Sequence, residues 1–197
     1  MAAALRCDDS MRNGVRAFIC VKIDDDNILD AVMSIQQKLD RHAAKVKFVK
    51  RNNLHFTLRF LGDTQMPMLD RIRATLDELS FDCFRISIGG VGAFPNIRRP
   101  RIVWVGVKSN GERITQLKRE IDRMLTVVGY TPEKRFTPHV TIARVRRIMD
   151  PPAMESNINQ LVGEVLGDMD VVSFKMMKST LTPSGPIYSQ LWEVCCS

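Results

Sequence analysis

The chain has 197 residues, of which 45% are hydrophobic and 26% are charged, a composition typical of one large globular domain or two small lobes. No apolar run reaches the roughly 18 residues of a membrane span, and the first residues lack the pattern of a signal peptide. Lys and Arg outnumber Asp and Glu by 29 to 22, which suits a polyanionic partner without identifying one. Five cysteines without metal-type spacing favour reduced thiols, a cytoplasmic protein and no zinc site.

The first half of the chain predicts an alternation of strands and helices. Residues 15–23 alternate as a strand, and apolar residues at helical spacing then predict an amphipathic helix over 27–41. A short strand at 46–49, a longer strand at 54–62, a helix marked by apolar residues from 69 to 79, and a strand from 84 follow. Residues 1–14 are predicted to be a frayed N-terminal extension, outside a single bilobed domain at 15–197.

The strand at 54–62 carries polar side chains that a core would not contain. Apolar and polar residues alternate along it, so the two sets are expected on opposite faces. The apolar face, predicted to lie in the core, has Leu54, Phe56, Leu58 and Phe60. The other face has His55, Thr57 and Arg59.

The same pattern returns 84 residues later, where His139 and Thr141 share one face of a predicted strand at 138–143. The chain has three histidines, and two of them therefore lie in His-x-Thr strands. A single His-x-Thr strand is a weak signal, but two copies in equivalent places are hard to obtain by chance. The third histidine, His42, follows a predicted helix and is expected on the surface.

The second half repeats the order of elements in the first half. Its predicted elements are a strand at 102–107, a helix from 114 that stops near Gly129, the second His-x-Thr strand, a weaker helix at 158–165 after two prolines, a strand at 170–181, and a last strand at 187–195. Each half is predicted to contain strand, helix, short strand, His-x-Thr strand, helix and strand. We therefore expect an α+β, bilobed, duplicated fold with two antiparallel-rich sheets flanked by helices, and with both imidazoles in one cleft on a pseudo-twofold axis.

Two histidines and two threonines in one cleft suit a displacement at phosphorus. With an ordinary pKa of about 6.5, one imidazole can act as a base near pH 7 while the other acts as an acid. Threonine hydroxyls can donate hydrogen bonds to the non-bridging phosphate oxygens. The sequence contains no carboxylate cluster that would hold a metal, so no metal and no cofactor is predicted.

These residues resemble the two-histidine (2H) phosphoesterase superfamily, and most closely its RNA 2',3'-cyclic phosphodiesterases in archaeal form, formerly called 2'-5' RNA ligases. The resemblance runs from about residue 15 to the C-terminus, and it includes 53–62, 92–95, 136–144 and 179–188. It implies a bilobed α+β fold with both motifs in the cleft. It also implies hydrolysis of a 2',3'-cyclic phosphate at an RNA end to a 2'-phosphomonoester.

By this resemblance His139 is assigned as base and His55 as acid, with the roles exchangeable because the motifs are nearly symmetric. Thr57 and Thr141 are expected to hold phosphate oxygens. Five residues are further candidates for substrate contact, each with a structural alternative: Arg59, Arg144, Phe94, Phe136 and Tyr188. On strict alternation, Arg144 needs a β-bulge or the strand end to enter the cleft.

Two other functions remain open at this point. An RNA ligase would join 2',3'-cyclic phosphate and 5'-hydroxyl ends with the same two histidines. A nucleotide-binding module would keep the cleft without turnover. The expected partners are RNA ends or 2',3'-cyclic nucleotides, bound by a monomer without membrane contact. Basic residues flanking the motifs, among them Lys45, Lys47 and Arg147, would guide an RNA backbone if they line the cleft rim.

Overall fold

The computed structural model describes residues 14–197, so most of the predicted N-terminal extension lies outside the described residues. The strands are β1 (Val15–Lys22), β2 (Ala44–Phe48), β3 (His55–Thr64), β4 (Phe84–Phe94), β5 (Ile102–Ser109), β6 (Val140–Ile148), β7 (Val165–Val171), β8 (Ser173–Thr182) and β9 (Gly185–Cys195). The α-helices are α1 (Asp26–Lys38), α2 (Met66–Leu76), α3 (Gly111–Leu125) and α4 (Pro151–Leu161).

The strands form a sheet in the order β7-β4-β5-β6-β3-β1-β8-β9, with β2 beside β6. Every pairing is antiparallel, which confirms the predicted α+β class with antiparallel strands. The order is symmetric about its centre, between β6 and β3. Strands β6, β5 and β4 on one side of this centre correspond to β3, β1 and β8, respectively, on the other side. Strand β4 of the first half thus lies between β5 and β7 of the second half, and β8 of the second half lies beside β1 of the first half. At the centre of the sheet, β3 pairs with β6 through a single residue pair, Phe56 with Val140.

The helices form where the sequence places apolar residues at helical spacing. In α1, the side chain of Asp25 accepts a hydrogen bond from the Ile28 amide at 3.1 Å and caps the helix start. Gly129 adopts a left-handed conformation with φ of 95° after α3 and ends the helical segment there. Each large apolar side chain buried this way contributes roughly 1.5–3 kcal/mol. The predicted apolar residues of α1 and α3 are all buried: Ile28, Val32, Ile35, Leu39, Ile114, Leu117, Ile121 and Leu125.

Four predicted features of the second half are wrong. Pro151 and Pro152 begin α4 behind the capping side chain of Asp150, since proline suits the first helical turn. Val165 belongs to β7 and is 67% exposed, so it does not extend the helix. The predicted strand at 170–181 is two strands, β7 and β8, which separate at residue 172. In addition, no strand corresponds to β2 within residues 130–139, although each half was expected to have one.

The cysteines also differ from the prediction. Cys83 and Cys196 form a disulfide across 113 residues of sequence, with their Cα atoms 5.2 Å apart. They meet because the C-terminal residues pass beside the segment before β4, where the Ser197 amide bonds to the Phe81 carbonyl at 3.2 Å. Cys20 and Cys195 are free thiols. Within residues 14–197, none of the helices has both the length and the apolar character that crossing a membrane requires.

Candidate active site

The pairing of Phe56 with Val140 brings the two His-x-Thr motifs together. Both residues are fully buried, and the antiparallel register centred on them sets His55 across from Thr141 and Thr57 across from His139. All four flanking side chains lie on the face opposite the two buried ones and are partly exposed. A local twofold axis through the central pair therefore exchanges the motifs, and both imidazoles share one cleft as predicted.

The two imidazoles are held in the same way. Nδ1 of His55 lies 2.7 Å from the Asn53 carbonyl, and Nδ1 of His139 lies 2.7 Å from the Thr137 carbonyl. A carbonyl oxygen only accepts hydrogen bonds, so each Nδ1 carries the proton and each neutral ring has its lone pair on Nε2. The Thr57 hydroxyl is 3.0 Å from Nε2 of His55 and donates to it. Both rings thus present an unprotonated nitrogen in the cleft.

Burial keeps both rings neutral in the free protein. Desolvation lowers the pKa of His55 to about 4, against the hydrogen bond to Asn53 and together with the charge of His139. Desolvation also lowers the pKa of His139, and its hydrogen bond to Thr137 opposes that shift.

A β-bulge in β3 exchanges the predicted positions of Arg59 and Phe60. Cys20 pairs with Thr57 and Ile19 pairs with Arg59, so Leu58 is an extra residue in β3. Both Leu58 and Arg59 are consequently buried, and alternation restarts one residue late. Arg59 turns away from the cleft to the side of Asp122, whereas Phe60 joins the face of Thr57 and is 66% exposed.

The equivalent bulge in β6 brings Arg144 to the cleft face. Trp104 pairs with Thr141 and Val103 pairs with Ala143, so Ile142 is the extra residue. Arg144 is exposed on the same side as Thr141, as the bulge condition required. Burial raises the pKa of the Tyr188 hydroxyl above its usual value. The positive charge of Arg144 opposes this shift. Arg144 and Phe60 occupy equivalent positions in the two motifs.

Aromatic rings flank each histidine. On the side of His55, the ring centroid of Phe18 lies at 4.9 Å and that of Tyr188 at 5.4 Å. On the side of His139, Phe94 lies at 4.9 Å and Trp104 at 6.2 Å. Phe94 and Tyr188 were predicted to be near the site, but Phe18 and Trp104 were missed because each reads as an ordinary apolar strand residue.

The remaining aromatic candidate, Phe136, lies elsewhere. It packs against the hydrophobic core with its ring 5.7 Å from Nζ of Lys118, which matches its structural alternative as a buried aromatic residue.

Cys20 lies opposite Thr57 under the cleft, and burial raises the pKa of its thiol to about 12. That thiol is therefore protonated at neutral pH and unsuited to nucleophilic attack.

Four cations extend from the second motif along β2 and β6. Lys47 pairs across the strands with Arg144, and Lys45 pairs with Arg147. All four are exposed, and none has an acidic partner within 4.0 Å in the described part of the chain. We name Lys45, Lys47, Arg144 and Arg147 the basic strip. Arg51 and Arg98, which also flank the motif segments in sequence, instead pair with acidic side chains outside the basic strip.

Comparison with known proteins identifies the family. The family described as LigT like Phosphoesterase matches residues 21–104 and again 105–188. The chain belongs to this family. The two matched segments are the two halves of the duplication, and each contains one His-x-Thr motif.

Several curated relatives align over nearly their whole length. A protein of Archaeoglobus fulgidus named RNA 2',3'-cyclic phosphodiesterase is 40% identical over 177 residues, which cover 90% of this chain and 98% of the relative. A protein of the same name from Methanothermobacter thermautotrophicus is 39% identical over 183 residues, with 90% and 96% coverage. The chain is therefore close in extent to these LigT-like relatives.

Solved structures confirm the fold. A Thermus thermophilus protein superposes with a TM-score of 0.72 at 26% identity, covering 91% of this chain and 97% of its own. Escherichia coli LigT in its apo form has a TM-score of 0.74 at 18% identity, covering 94% and 99%. The duplicated arrangement around the Phe56 and Val140 pair is thus that of LigT-like phosphoesterases.

Proposed function

We propose that this LigT-like phosphoesterase hydrolyses a 2',3'-cyclic phosphate at an RNA end to a 2'-phosphomonoester. The observation that carries the proposal is the arrangement of His55, Thr57, His139 and Thr141 around one buried pair, with both Nε2 lone pairs in the cleft. The relatives that align over nearly their whole length bear the name of this activity, which supports it.

In the proposed reaction, His139 takes a proton from water as the water oxygen attacks phosphorus. His55 gives a proton to O3' as the P–O3' bond breaks, which leaves a 3'-hydroxyl and a 2'-phosphomonoester. The hydroxyls of Thr57 and Thr141 donate to the non-bridging oxygens, where negative charge develops. For His55 to act as the acid, the bound phosphate anion must raise its pKa from about 4, because an opposite charge nearby favours the protonated ring.

The cleft walls suit the nucleoside and the phosphate differently. Phe60, Tyr188 and Phe94 offer partly exposed rings on which a base can stack. Arg144 offers a guanidinium, which pairs well with phosphate. Escherichia coli LigT, a relative of the same fold, has been crystallised with 3'-AMP. We propose that the rings receive the terminal base of the RNA and that Arg144 contacts the phosphate, in a protein that works as a cytoplasmic monomer.

The experiment that tests the function is incubation with 2',3'-cyclic AMP, with the product isomer identified by phosphorus NMR. We expect 2'-AMP alone, and we expect the same rate in EDTA because histidines carry both proton transfers. Production of 3'-AMP would contradict the assignment of the broken bond. Binding without turnover would instead favour the nucleotide-binding module, and loss of the activity in EDTA with recovery on adding a divalent ion would contradict the two-histidine mechanism.

Binding of longer RNA is expected to depend steeply on salt. The basic strip would neutralise backbone phosphates, and each such contact contributes about 0.7 to the slope of log affinity against log salt for a single strand. The double variant Lys45→Ala/Arg147→Ala should therefore have a shallower slope, with little change in sequence preference.

Affinities measured over a range of salt concentrations test this. Arg119→Ala is the matched control, because Arg119 is an exposed cation on α3, outside the cleft and the basic strip. A slope that is unchanged in the double variant would remove the basic strip from the RNA path, while the catalytic proposal would stand.

A further inference from the structure

A group of four charged residues lies behind the catalytic strands, on the side of β3 away from the cleft. We name Arg59, Lys118, Asp122 and Glu133 the buried ion network. Lys118 is 1% exposed, Asp122 4% and Arg59 8%, and only Glu133 reaches solvent. Its two positive and two negative charges balance. Arg59 contacts the carboxylates of both Asp122 and Glu133, and Lys118 contacts the same two carboxylates.

This network holds the segment 130–137 that leads to the second motif. Nη2 of Arg59 donates to the Thr131 carbonyl at 2.7 Å, and the Glu133 amide donates to Oδ2 of Asp122 at 3.0 Å. The Phe136 ring lies over the ammonium of Lys118. The segment is thereby fixed at its beginning, middle and end to α3 and to β3, the strand of the first motif.

The segment in turn fixes His139, because the Thr137 carbonyl accepts the Nδ1 hydrogen bond of that ring. We infer that the buried ion network is a positioning device for His139, and that it sets this ring relative to the first motif through Arg59. The test of this inference by enzyme activity rests on the proposed function. Its test by NMR of the histidine rings does not.

The asymmetry of the duplication explains why only one half needs such a device. Before His55, the chain follows β2, which is hydrogen-bonded to β6, and Asn53 bonds to the Pro186 carbonyl at 2.9 Å. In the described chain, residues 130–139 contain no strand, so sheet hydrogen bonds do not fix the backbone immediately before His139. The equivalent of Arg59 in the second motif is Ala143, which carries no charge.

A purely stabilising role is the competing interpretation. Replacing a buried ion network with apolar residues of similar volume is often neutral or stabilising, so the network by itself is weak evidence for a stabilising role. The two interpretations differ in one consequence. A stabilising network would affect the folded fraction alone, whereas a positioning network would change His139 within the folded protein.

The test compares Lys118→Met and Glu133→Gln with the wild type, at a temperature where each variant is folded. We expect kcat for 2',3'-cyclic AMP to fall by about tenfold to a hundredfold, with KM nearly unchanged, because misplacing a catalytic group costs turnover more than binding. Asp122→Asn should lose less than Asp122→Leu, since an amide oxygen still accepts from the Glu133 amide.

Two controls separate position from stability. Arg123→Met removes an exposed ion pair with Glu120 on the same helix and should leave kcat unchanged. Leu161→Ala, in the buried face of α4, should lower the melting temperature without lowering kcat in the folded protein. If Leu161→Ala lowers kcat as much as Lys118→Met at a matched melting temperature, the positioning inference is overturned.

Nitrogen NMR of the histidine rings gives a readout that needs no substrate. In the wild type, His55 and His139 should both show a protonated Nδ1. In Lys118→Met, His139 should exchange between tautomers while His55 keeps its own. An unchanged His139 signal in a folded variant would overturn the inference even if the activity proposal holds. Absence of all turnover in the wild type, with the expected NMR change, would instead overturn the activity alone.

Discussion

Replacing His55 or His139 with alanine is expected to lower kcat by at least about 100-fold, since general acid and base steps each contribute roughly 100- to 10,000-fold. Both rings lie in one cleft, and in the proposed reaction they act on opposite sides of the same phosphorus. The double variant should be little worse than either single variant. The acid and the base act in the same displacement, so once one of them is removed, the remaining one no longer accelerates the reaction.

Graded controls accompany this result. Thr57→Ala and Thr141→Ala should each cost less than the histidine changes, because water can replace part of a lost hydrogen bond to phosphate. His42→Ala should match the wild type, since His42 is exposed and belongs to neither motif. Initial rates on 2',3'-cyclic AMP, with circular dichroism to confirm folding, measure all of these. Less than a tenfold loss for either cleft histidine would refute the paired mechanism and favour the nucleotide-binding module.

The duplication and the shared cleft of the two motifs were predictable because they depend on local patterns that recur. Alternation located the two motif strands, and the 84-residue offset predicted that His55 and His139 would meet. The family match to two consecutive segments confirms the duplicated fold. The apolar spacing over 27–41 likewise predicted helix α1, which begins at Asp26, because such spacing is a short-range signal.

Alternation failed where the backbone inserts an extra residue. Nothing in the letters at Leu58 or Ile142 marks a bulge, because both are ordinary strand residues that the register alone reveals as extra. The bulges decide which of Arg59, Phe60 and Arg144 enters the cleft. A tertiary requirement, the pairing of β3 with β1 and of β6 with β5, therefore overrides the local pattern.

Long-range contacts between single residues were also beyond the sequence. Cys83 and Cys196 are 113 residues apart, and no spacing rule joins them. Lys118 reads as an exposed charge on an amphipathic helix, yet it is buried because Asp122, one turn later, and Glu133 meet it there. The apolar positions of α3 predicted its buried face correctly. The burial of the charged residues Lys118 and Asp122 on that face could not be predicted, because it depends on partners from other elements.

The free energy of unfolding is expected to fall as the pH falls from about 6.5 to about 4. In the unfolded chain each imidazole has its ordinary pKa near 6.5, whereas burial lowers the pKa of folded His55 to about 4 and also lowers that of His139. Between these values the unfolded state binds more protons than the folded state, so stability rises with pH across the window and is lost on acidification. A shift of this size corresponds to about 3 kcal/mol for His55, at 1.36 kcal/mol per unit.

Urea denaturation at several pH values across this window tests the prediction, with His55→Gln as the decisive variant. Other groups also respond to acid. Among them is Asp24, where burial raises the pKa but the contacts with Lys22 and Lys175 together lower it below its usual value. Those groups are common to the wild type and the variant, so the difference between the two pH slopes isolates His55. We expect a shallower slope for His55→Gln and an unchanged slope for His42→Gln. If the slope of His55→Gln equals that of the wild type, burial does not hold His55 neutral. In that case a bound phosphate would not need to raise the pKa of His55 before the ring acts as an acid.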